Sequence, residues 1–273
     1  MPRPFARLTR RPEPRARITL PDRYGGGSFV MTTAGGTDQI AVAHERHGWG
    51  AFEAPFPDVF ASLCRALGGR VLDIGANTGF YSLIATAAHP TISVIAFEPL
   101  AAVHSILERN VERNEQRARI EVDARAVGAT VGEATLYIPD AGHGLVETSA
   151  SLSVTFKEHD STVTVSVTTL DASIDRWRDT TIVKIDVEGF EHGVIQGGLS
   201  FLARYRPLVF LEILPGTEFE ILSAAKQSLS YTDVRLRPGG IVVGEPLQFD
   251  PDGWNHLWIP TERVEEIVAL IDQ

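Results

Sequence analysis

The chain has 273 residues, of which 44% are hydrophobic and 22% charged, and its single cysteine is Cys64. This composition is ordinary for a folded globular protein, and one cysteine can form neither an internal disulfide nor a cysteine-based zinc site. A formal net charge of −10 argues against a dedicated binder of nucleic acid or of anionic membranes. No apolar run approaches the roughly 20 residues of a membrane helix, and the start lacks the apolar core of a secretory signal. These features predict a cytoplasmic protein without stable membrane insertion.

Arginine and proline dominate the first stretch, residues 1–24. This composition predicts a flexible arm, which is either merely solvated or a strap that guides a large or anionic substrate to the site. Glycines then punctuate short alternating runs such as Ser28-Phe29-Val30-Met31, which predicts a small hairpin. Apolar positions recur at helical spacing over residues 58–67. Residues 25–69 are therefore expected to form an N-terminal hairpin and helix.

From residue 70 onward, short apolar runs alternate with helical patterns. The runs at 71–74, 93–97, 119–122, 181–185 and 208–213 lack internal polar alternation, which is typical of parallel strands covered on both faces. Residues 70–273 are thus expected to form one α/β domain around a doubly wound, mostly parallel sheet. A β-rich insertion at about 132–169 interrupts it, and the glycines in its middle predict a lid over the site.

The first predicted strand leads into Asp73-Ile-Gly75-Ala-Asn77-Thr-Gly79. A strand, an acid and a glycine turn before a helix bring the backbone close to a ligand at the carboxyl edge of a sheet. The middle glycine of the dinucleotide fingerprint is missing, which disfavours a nucleotide-dependent oxidoreductase. A second acid, Glu98, ends the next strand before Pro99, where its carboxylate can accept hydrogen bonds from ribose hydroxyls. The ligand that fits this pair of acids is S-adenosylmethionine.

Two further motifs follow in order, Lys184-Ile-Asp186-Val-Glu188-Gly189 and Phe210-Leu-Glu212. Together with the motifs at Asp73 and Glu98, they resemble the FkbM family of S-adenosylmethionine-dependent O-methyltransferases from about residue 70 to residue 213. The resemblance implies a Rossmann-like class I methyltransferase fold with S-adenosylmethionine as cofactor. It also implies a donor site made of Asp73, Gly75, Asn77 and Gly79 around the methionine and sulfonium, Glu98 and Pro99 at the ribose, and the neighbourhood of Ala126 at the adenine.

Asp186 and Glu212 end neighbouring predicted strands, so their carboxylates can point into one crevice. Hard oxygen ligands completed by waters would suit Mg²⁺, which related natural-product sugar methyltransferases place at these two strand ends. The alternative is that the two acids orient the substrate or pair with Lys184 or an arginine.

Methyl transfer to a hydroxyl requires a group that removes the hydroxyl proton. His143 lies between glycines of the insertion and is the expected base, with an ordinary surface-loop histidine as the alternative. Asp186 and Glu188 are the other catalytic candidates, and Glu188 could instead cap the following helix. An N-terminal cluster suits either a saccharide-binding wall or core packing, and it comprises His44, His47, Trp49 and Glu53.

The leading hypothesis is an O-methyltransferase that acts on a hydroxyl of a saccharide, in a glycan, a glycolipid or a sugar-bearing natural product. The alternatives are a methyltransferase of a non-sugar polyketide hydroxyl and a nonenzymatic nucleoside-binding module. The acidic charge and the absence of an Asn/Asp-Pro-Pro-Tyr motif disfavour an aminomethylase of nucleic acid. The expected partner is a small-molecule or oligosaccharide acceptor, and the sequence leaves open whether the chain forms a homo-oligomer.

Overall fold

The computed structural model describes residues 14–50, 52–139, 145–146 and 149–271. In chain order, these contain β1 (Arg15–Thr19), β2 (Ser28–Thr32), α1 (Gln39–His47), α2 (Phe56–Leu67), β3 (Arg70–Ile74), α3 (Phe80–Ala88), β4 (Ser93–Phe97), α4 (Ala101–Arg113), β5 (Ile120–Asp123), β6 (Ala126–Val127), β7 (Gly132–Ile138), β8 (Ser161–Thr168), β9 (Thr180–Ile185), α5 (Glu191–Gln196), α6 (Leu199–Tyr205), β10 (Leu208–Glu212), α7 (Phe219–Ser228), β11 (Tyr231–Arg237), β12 (Gly240–Val243), β13 (Asn255–Pro260) and α8 (Val264–Ile271). Within these ranges, no helix combines the length and the apolar character that a membrane crossing needs.

The central sheet has eight strands in the order β12-β11-β13-β10-β9-β3-β4-β5. Strands β10, β9, β3, β4 and β5 pair in parallel, whereas β13 is antiparallel to both of its neighbours, β10 and β11. The chain order reverses between β3 and β9, and an open α/β sheet binds ligands at such a switch point, beyond the carboxyl ends of its strands. The expected α/β class with a doubly wound, mostly parallel sheet is confirmed.

Both faces of the sheet are buried, which explains the uninterrupted apolar runs of its strands. On β3, neither Val71 nor Leu72 is exposed, and they belong to different core clusters. The Val71 cluster includes Phe60 of α2, and the Leu72 cluster includes Phe201 of α6. Because each face is covered by helices, the polar ends of the strands are the places where the sheet can meet a ligand.

The N-terminal hairpin begins earlier than the sequence suggests. Strand β1 pairs antiparallel with β2 and alternates exposed arginines with the buried side chains of Ala16 and Ile18. The expectation of a flexible arm as far as residue 24 is therefore wrong for residues 15–19, because their alternation buries one face. The amide of Thr32 donates to Asn110 Oδ1 at 2.8 Å, and Asn110 Nδ2 donates to the carbonyl of Thr78 at 2.8 Å. The hairpin is thus tied through α4 to the glycine turn after β3.

The insertion after β6 supplies β7 and β8, which join β6 in a separate three-stranded sheet with the order β6-β8-β7. Its described residues are fastened to the rest of the chain at two points. Ser151 Oγ donates to the carbonyl of Glu188 at 2.7 Å, and the amide of Val146 donates to the carbonyl of Thr37 at 3.0 Å. These bonds place the insertion beside the carboxyl edge of the main sheet.

Candidate functional site

The turns after β3 and β9 meet at the carboxyl edge of the sheet. The amide of Asp186 donates to the carbonyl of Ile74 at 3.0 Å, and the amide of Gly75 donates to the carbonyl of Phe97 at 3.0 Å. Gly75 has a φ of +73°, and a Cβ there would overlap the backbone oxygen of Asp186. Glycine is therefore required at this position, both for the left-handed backbone and for the close approach of the two turns.

A buried lysine connects two acids beneath the turns. Lys184 on β9 lies opposite Asp73 on β3, and its Nζ is 3.5 Å from Asp73 Oδ1 and 3.1 Å from Asp186 Oδ2. The same Nζ donates to the carbonyl of Gly75 at 2.8 Å. Burial lowers the pKa of Lys184, but its two carboxylate neighbours outweigh burial and hold that pKa above its ordinary value. The ammonium is therefore charged and holds the two turns in place.

A narrow cleft opens between the central sheet and the insertion. Its floor carries Glu98, whose side-chain oxygens accept from the amide of Asn77 at 3.0 Å and from the amide of Leu100 at 2.9 Å. Glu98 is 8% exposed, and burial raises its pKa to about 7 although both amide bonds act in the opposite direction. The apolar walls of the cleft come from Ile74, Phe97, Leu100, Val103, Val127, Leu136, Ala150, Leu152 and Val187.

The outer end of the cleft carries a rigid ion pair. Arg125 lines the cleft, and its guanidinium donates to both carboxylate oxygens of Asp123 at distances of 2.6 to 3.2 Å. Burial would raise the pKa of Asp123, but the bonds from Arg125 hold that pKa below its ordinary value. The pair fixes the loop that leads from β5 to Ala126, which also lines the cleft.

A wider chamber of 410 Å³ lies next to the cleft and shares Asn77, Asp186 and Glu188 with it. The aromatic side chains around the chamber are Phe52, Phe80, Tyr81 and Phe156, and the charged ones are Glu53, Lys157, Lys184, Asp186, Glu188 and Glu212. The three shared residues mark the junction at which a ligand in one cavity would meet a ligand in the other.

Three acids that line the chamber have pKa values above the ordinary value of a glutamate. Burial and the charge of Asp186 raise the pKa of Glu188 to about 8 and that of Glu53 to about 7. The same two causes raise the pKa of Glu212 well above its ordinary value. Carboxylates that are crowded together without enough cations cannot all be ionised.

The expected magnesium site at Asp186 and Glu212 does not fit the arrangement. Within the described ranges, no three histidine, cysteine or carboxylate side chains are arranged so that they could hold a metal ion together. Asp186 is instead paired with the ammonium of Lys184 at 3.1 Å, which is the alternative that the sequence left open. A fixed positive charge in contact with one of two proposed ligands opposes a dication.

A family model described as the Methyltransferase FkbM domain matches residues 73–243. The chain belongs to the FkbM methyltransferase family. This family member is 38% identical over 121 residues to the 31-O-demethyl-FK506 methyltransferase FkbM of Streptomyces tacrolimicus, a match that covers 42% of this chain and 45% of that relative. It is 24% identical over 159 residues to Methyltransferase 1 of Beauveria bassiana, with 53% and 60% covered. The chain thus spans about half the length of the curated relatives it matches.

Solved structures with related folds include methyltransferase FkbM from Methylobacillus flagellatus KT. The two chains are 16% identical with a TM-score of 0.47, and the match covers 70% of this chain and 43% of that one. A SAM-dependent methyltransferase from Agrobacterium tumefaciens is 13% identical with a TM-score of 0.44, over 93% and 72% of the two chains. We therefore interpret the site from the residues of this FkbM-family chain itself.

Most of the site residues that the sequence predicts for this FkbM-family chain line the cleft, and the others lie behind its wall. Those that line the cleft are Gly75, Asn77, Glu98, Pro99 and Ala126, and Asp186 and Glu188 lie at its junction with the chamber. Asp73 lines neither cavity, because it is fully buried and accepts a bond from Ser82 Oγ at 2.6 Å while facing Lys184. Gly79 begins α3, where a Cβ would be 2.5 Å from Leu107 Cδ1. His143 lies outside the described residues.

Only part of the N-terminal cluster stays together in the FkbM-family structure, where the rings of His44 and Trp49 are 6.5 Å apart. His44 is buried against Phe80, Trp49 Nε1 donates to Asp58, and His47 is exposed. Of the four, only Glu53 lines the chamber. The sequence did not single out Tyr81, Leu100, Arg125 or Leu152 as site residues, since each reads locally as an ordinary helix or loop position.

Proposed function

We propose that this chain is an S-adenosylmethionine-dependent O-methyltransferase that acts on a hydroxyl of a small molecule, with a saccharide-bearing acceptor as the leading class. The observation that carries the proposal is the junction of two cavities at Asn77, Asp186 and Glu188 in a chain of the FkbM family. A transferase of this kind needs one compartment for the donor and another for the acceptor, and the two compartments must meet where the methyl group passes.

The narrow cleft suits the donor. S-adenosylmethionine supplies a methyl group carried on a positively charged sulfur. Glu98 would accept hydrogen bonds from the ribose hydroxyls, since each of its oxygens has one amide partner and keeps a further lone pair. The side chains of Leu100 and Leu152 would hold the adenine between apolar surfaces. Asp186 and Glu188 would place negative charge beside the sulfonium.

The chamber suits a hydroxylated acceptor. Carboxylates accept hydrogen bonds from hydroxyl groups, and aromatic faces such as Phe52 and Phe80 cover apolar ring surfaces. This mixture favours a sugar ring. The relative named 31-O-demethyl-FK506 methyltransferase favours the alternative, in which the hydroxyl belongs to a non-sugar polyketide. The insertion would close both compartments as a lid, since Leu152 lines the cleft and Phe156 lines the chamber.

Calorimetry with S-adenosylhomocysteine tests the donor site. The wild-type protein should bind this product, and Glu98→Gln should weaken binding by about 1.5–3 kcal/mol because a charged acceptor of the ribose bonds becomes a neutral one. Glu108→Gln, at an exposed position of α4, is the matched control and should leave the affinity unchanged. Equal affinities in all three proteins would remove the role of Glu98, and no binding by the wild type would refute the donor site.

A donor-consumption assay tests the transfer itself. The wild-type protein would be offered methylatable sugars, glycans and polyketides, and mass spectrometry would locate the added methyl group. Transfer to a sugar hydroxyl supports the leading class, and transfer only to polyketide hydroxyls supports the alternative. Tight binding of S-adenosylhomocysteine without transfer to any acceptor would instead indicate a nonenzymatic nucleoside-binding module.

A further inference from the structure

Glu53 enters the chamber from a segment that precedes the family-matched residues 73–243. It lies just before α2 and has a φ of +51°, which is unfavourable for a residue with a Cβ. Its carbonyl accepts from the amide of Phe56 at 2.9 Å, so the unfavourable backbone is held by the start of the helix. Strained backbone of this kind is concentrated at functional sites.

One oxygen of Glu53 is fixed by a tyrosine. The hydroxyl of Tyr81 donates to Glu53 Oε2 at 2.6 Å. The ring of Tyr81 stacks on Phe56 with centroids 4.6 Å apart, and Phe56 stacks in turn on Phe210 at 5.0 Å. Because the donor is anchored in the core, the carboxylate has a fixed orientation. Among the described residues, Glu53 Oε1 has no hydrogen-bond partner and is available to a ligand in the chamber.

The other acids of the chamber are less suited to take a proton from an acceptor. Asp186 Oδ2 is already paired with Lys184 Nζ at 3.1 Å. Asp186 and Glu188 also line the cleft, so they lie on the donor side of the junction. Glu212 lines the chamber, but within the described part of the chain no hydrogen bond fixes the orientation of its carboxylate. Among these four acids, Glu53 lines the chamber and not the cleft, and its carboxylate is held in a fixed orientation by Tyr81.

We propose that Glu53 is the general base of the transfer and that Tyr81 is its positioning residue. This inference rests on the proposed function of the site. As the acceptor oxygen forms its bond to the methyl carbon, the bond between that carbon and the donor sulfur breaks and the sulfur keeps the electron pair. The hydroxyl proton passes to Glu53 Oε1 and then to solvent. The base thus comes from the N-terminal segment, and His143 is not needed for this role.

The electrostatic surroundings agree with this geometry. Burial and the charge of Asp186 raise the pKa of Glu53 to about 7, while the bond from Tyr81 acts in the opposite direction. A general base works best when its pKa is close to the working pH. The titratable or charged groups that face the chamber with it are Tyr81, Lys157, Lys184, Asp186, Glu188 and Glu212.

The test compares Glu53→Gln with the wild-type protein and with Glu45→Gln, a matched control at an exposed position of α1. Glu53→Gln should lower kcat by about 10²- to 10⁴-fold, with unchanged affinity for S-adenosylhomocysteine. Carbon-13 NMR of labelled glutamate carboxyls should show several signals that titrate near neutrality, including those of Glu98 and Glu188, and the one that is missing from Glu53→Gln is assigned to Glu53. Tyr81→Phe should move that titration, and the rise of kcat with pH, to higher pH because a donor to the ionised form is lost.

The possible outcomes distinguish a failure of the general-base assignment from a failure of the proposed function. Loss of S-adenosylhomocysteine binding in the wild type would refute the proposed function. If Glu53→Gln binds that product like the wild type and keeps full turnover, Glu53 is not the base although the donor site stands. A Glu53 carboxyl signal that titrates in the ordinary acid range would overturn the inference without reference to any acceptor. A Tyr81→Phe protein with an unchanged pH profile would remove Tyr81 from its positioning role.

Discussion

Replacing Lys184 with methionine tests the electrostatic support of the site. Methionine matches lysine in length but has no charge, so the change removes the ion pairs to Asp73 and Asp186 and the hydrogen bond to the carbonyl of Gly75. Asp186 is partly exposed and can regain water, whereas Asp73 is fully buried and keeps only the bond from Ser82. The loss of stability is therefore expected mainly from Asp73, whose buried carboxylate no longer has a cationic partner.

The expected loss follows from that geometry. Removing one partner of a buried ion pair costs about 3–5 kcal/mol, because the remaining charge stays away from water. We expect Lys184→Met to lower the free energy of unfolding by this amount. Asp73→Asn in the same chain should recover part of the loss, because it removes the isolated charge while keeping the size of the side chain.

Urea unfolding monitored by tryptophan fluorescence measures the effect, since Trp177 and Trp258 are fully buried in the folded protein. Lys226→Met on α7 is the matched control, because Lys226 has no ion pair or hydrogen bond among the described residues and methionine is an equally good helix former. Lys226→Met should stay within about 0.5 kcal/mol of the wild type. If Lys184→Met is no more destabilising than this control, the ammonium does not hold the two turns in place.

Three further results are expected. Gly75→Ala should abolish binding of S-adenosylhomocysteine because its Cβ would overlap the backbone of Asp186. The control is Gly35→Ala, at a position with a φ of +75° and open space around it, which should lose only about 1–2 kcal/mol of stability and bind normally. Because burial and Asp186 raise the pKa of Glu188 to about 8 from 4.5, its ionised form destabilises the unliganded protein as pH rises through that range. Glu188→Gln should therefore raise Tm more at about pH 9 than at about pH 5, and an equal effect at both values would contradict the assignment. Calorimetry near neutral pH in buffers of different ionisation enthalpy should detect more protons released on binding S-adenosylmethionine than on binding S-adenosylhomocysteine, because only the former carries a positively charged sulfur. Equal proton release would contradict the acidic junction.

The parallel strands were predictable because burial on both faces leaves a continuous apolar run in the sequence. The position of the acid and the glycine turn after β3 was also predictable, because a polar motif at the end of an apolar strand must lie at the carboxyl edge of the sheet. Strand β1 was not predicted, although its alternation is present, because the arginines at 15 and 17 dominate its composition and its partner, β2, is separated from it by a glycine-rich turn.

The interactions that hold the site residues in place were less predictable than the positions of the motifs that line the cleft. Asp73 and Lys184 face each other only because β3 and β9 pair in a particular register, which neither local pattern determines. The sequence placed Asp73 at the ligand, whereas the structure places it behind the wall of the cleft. Glu53 was noted as part of an aromatic and polar wall, but its bond to Tyr81 depends on how α2 packs against α3 and has no signal along the chain.

The hairpin of β1 and β2 makes the cooperative folding unit larger than the segment by which the family is recognised. Phe29 and Met31 are buried in the same core cluster as Leu83 of α3, so a fragment that starts at residue 73 would lose part of the cover on one face of the parallel sheet. The covering segment is also the one that brings Glu53 to the chamber. Divergence before residue 73 can therefore change what the chamber accepts while the donor cleft stays the same.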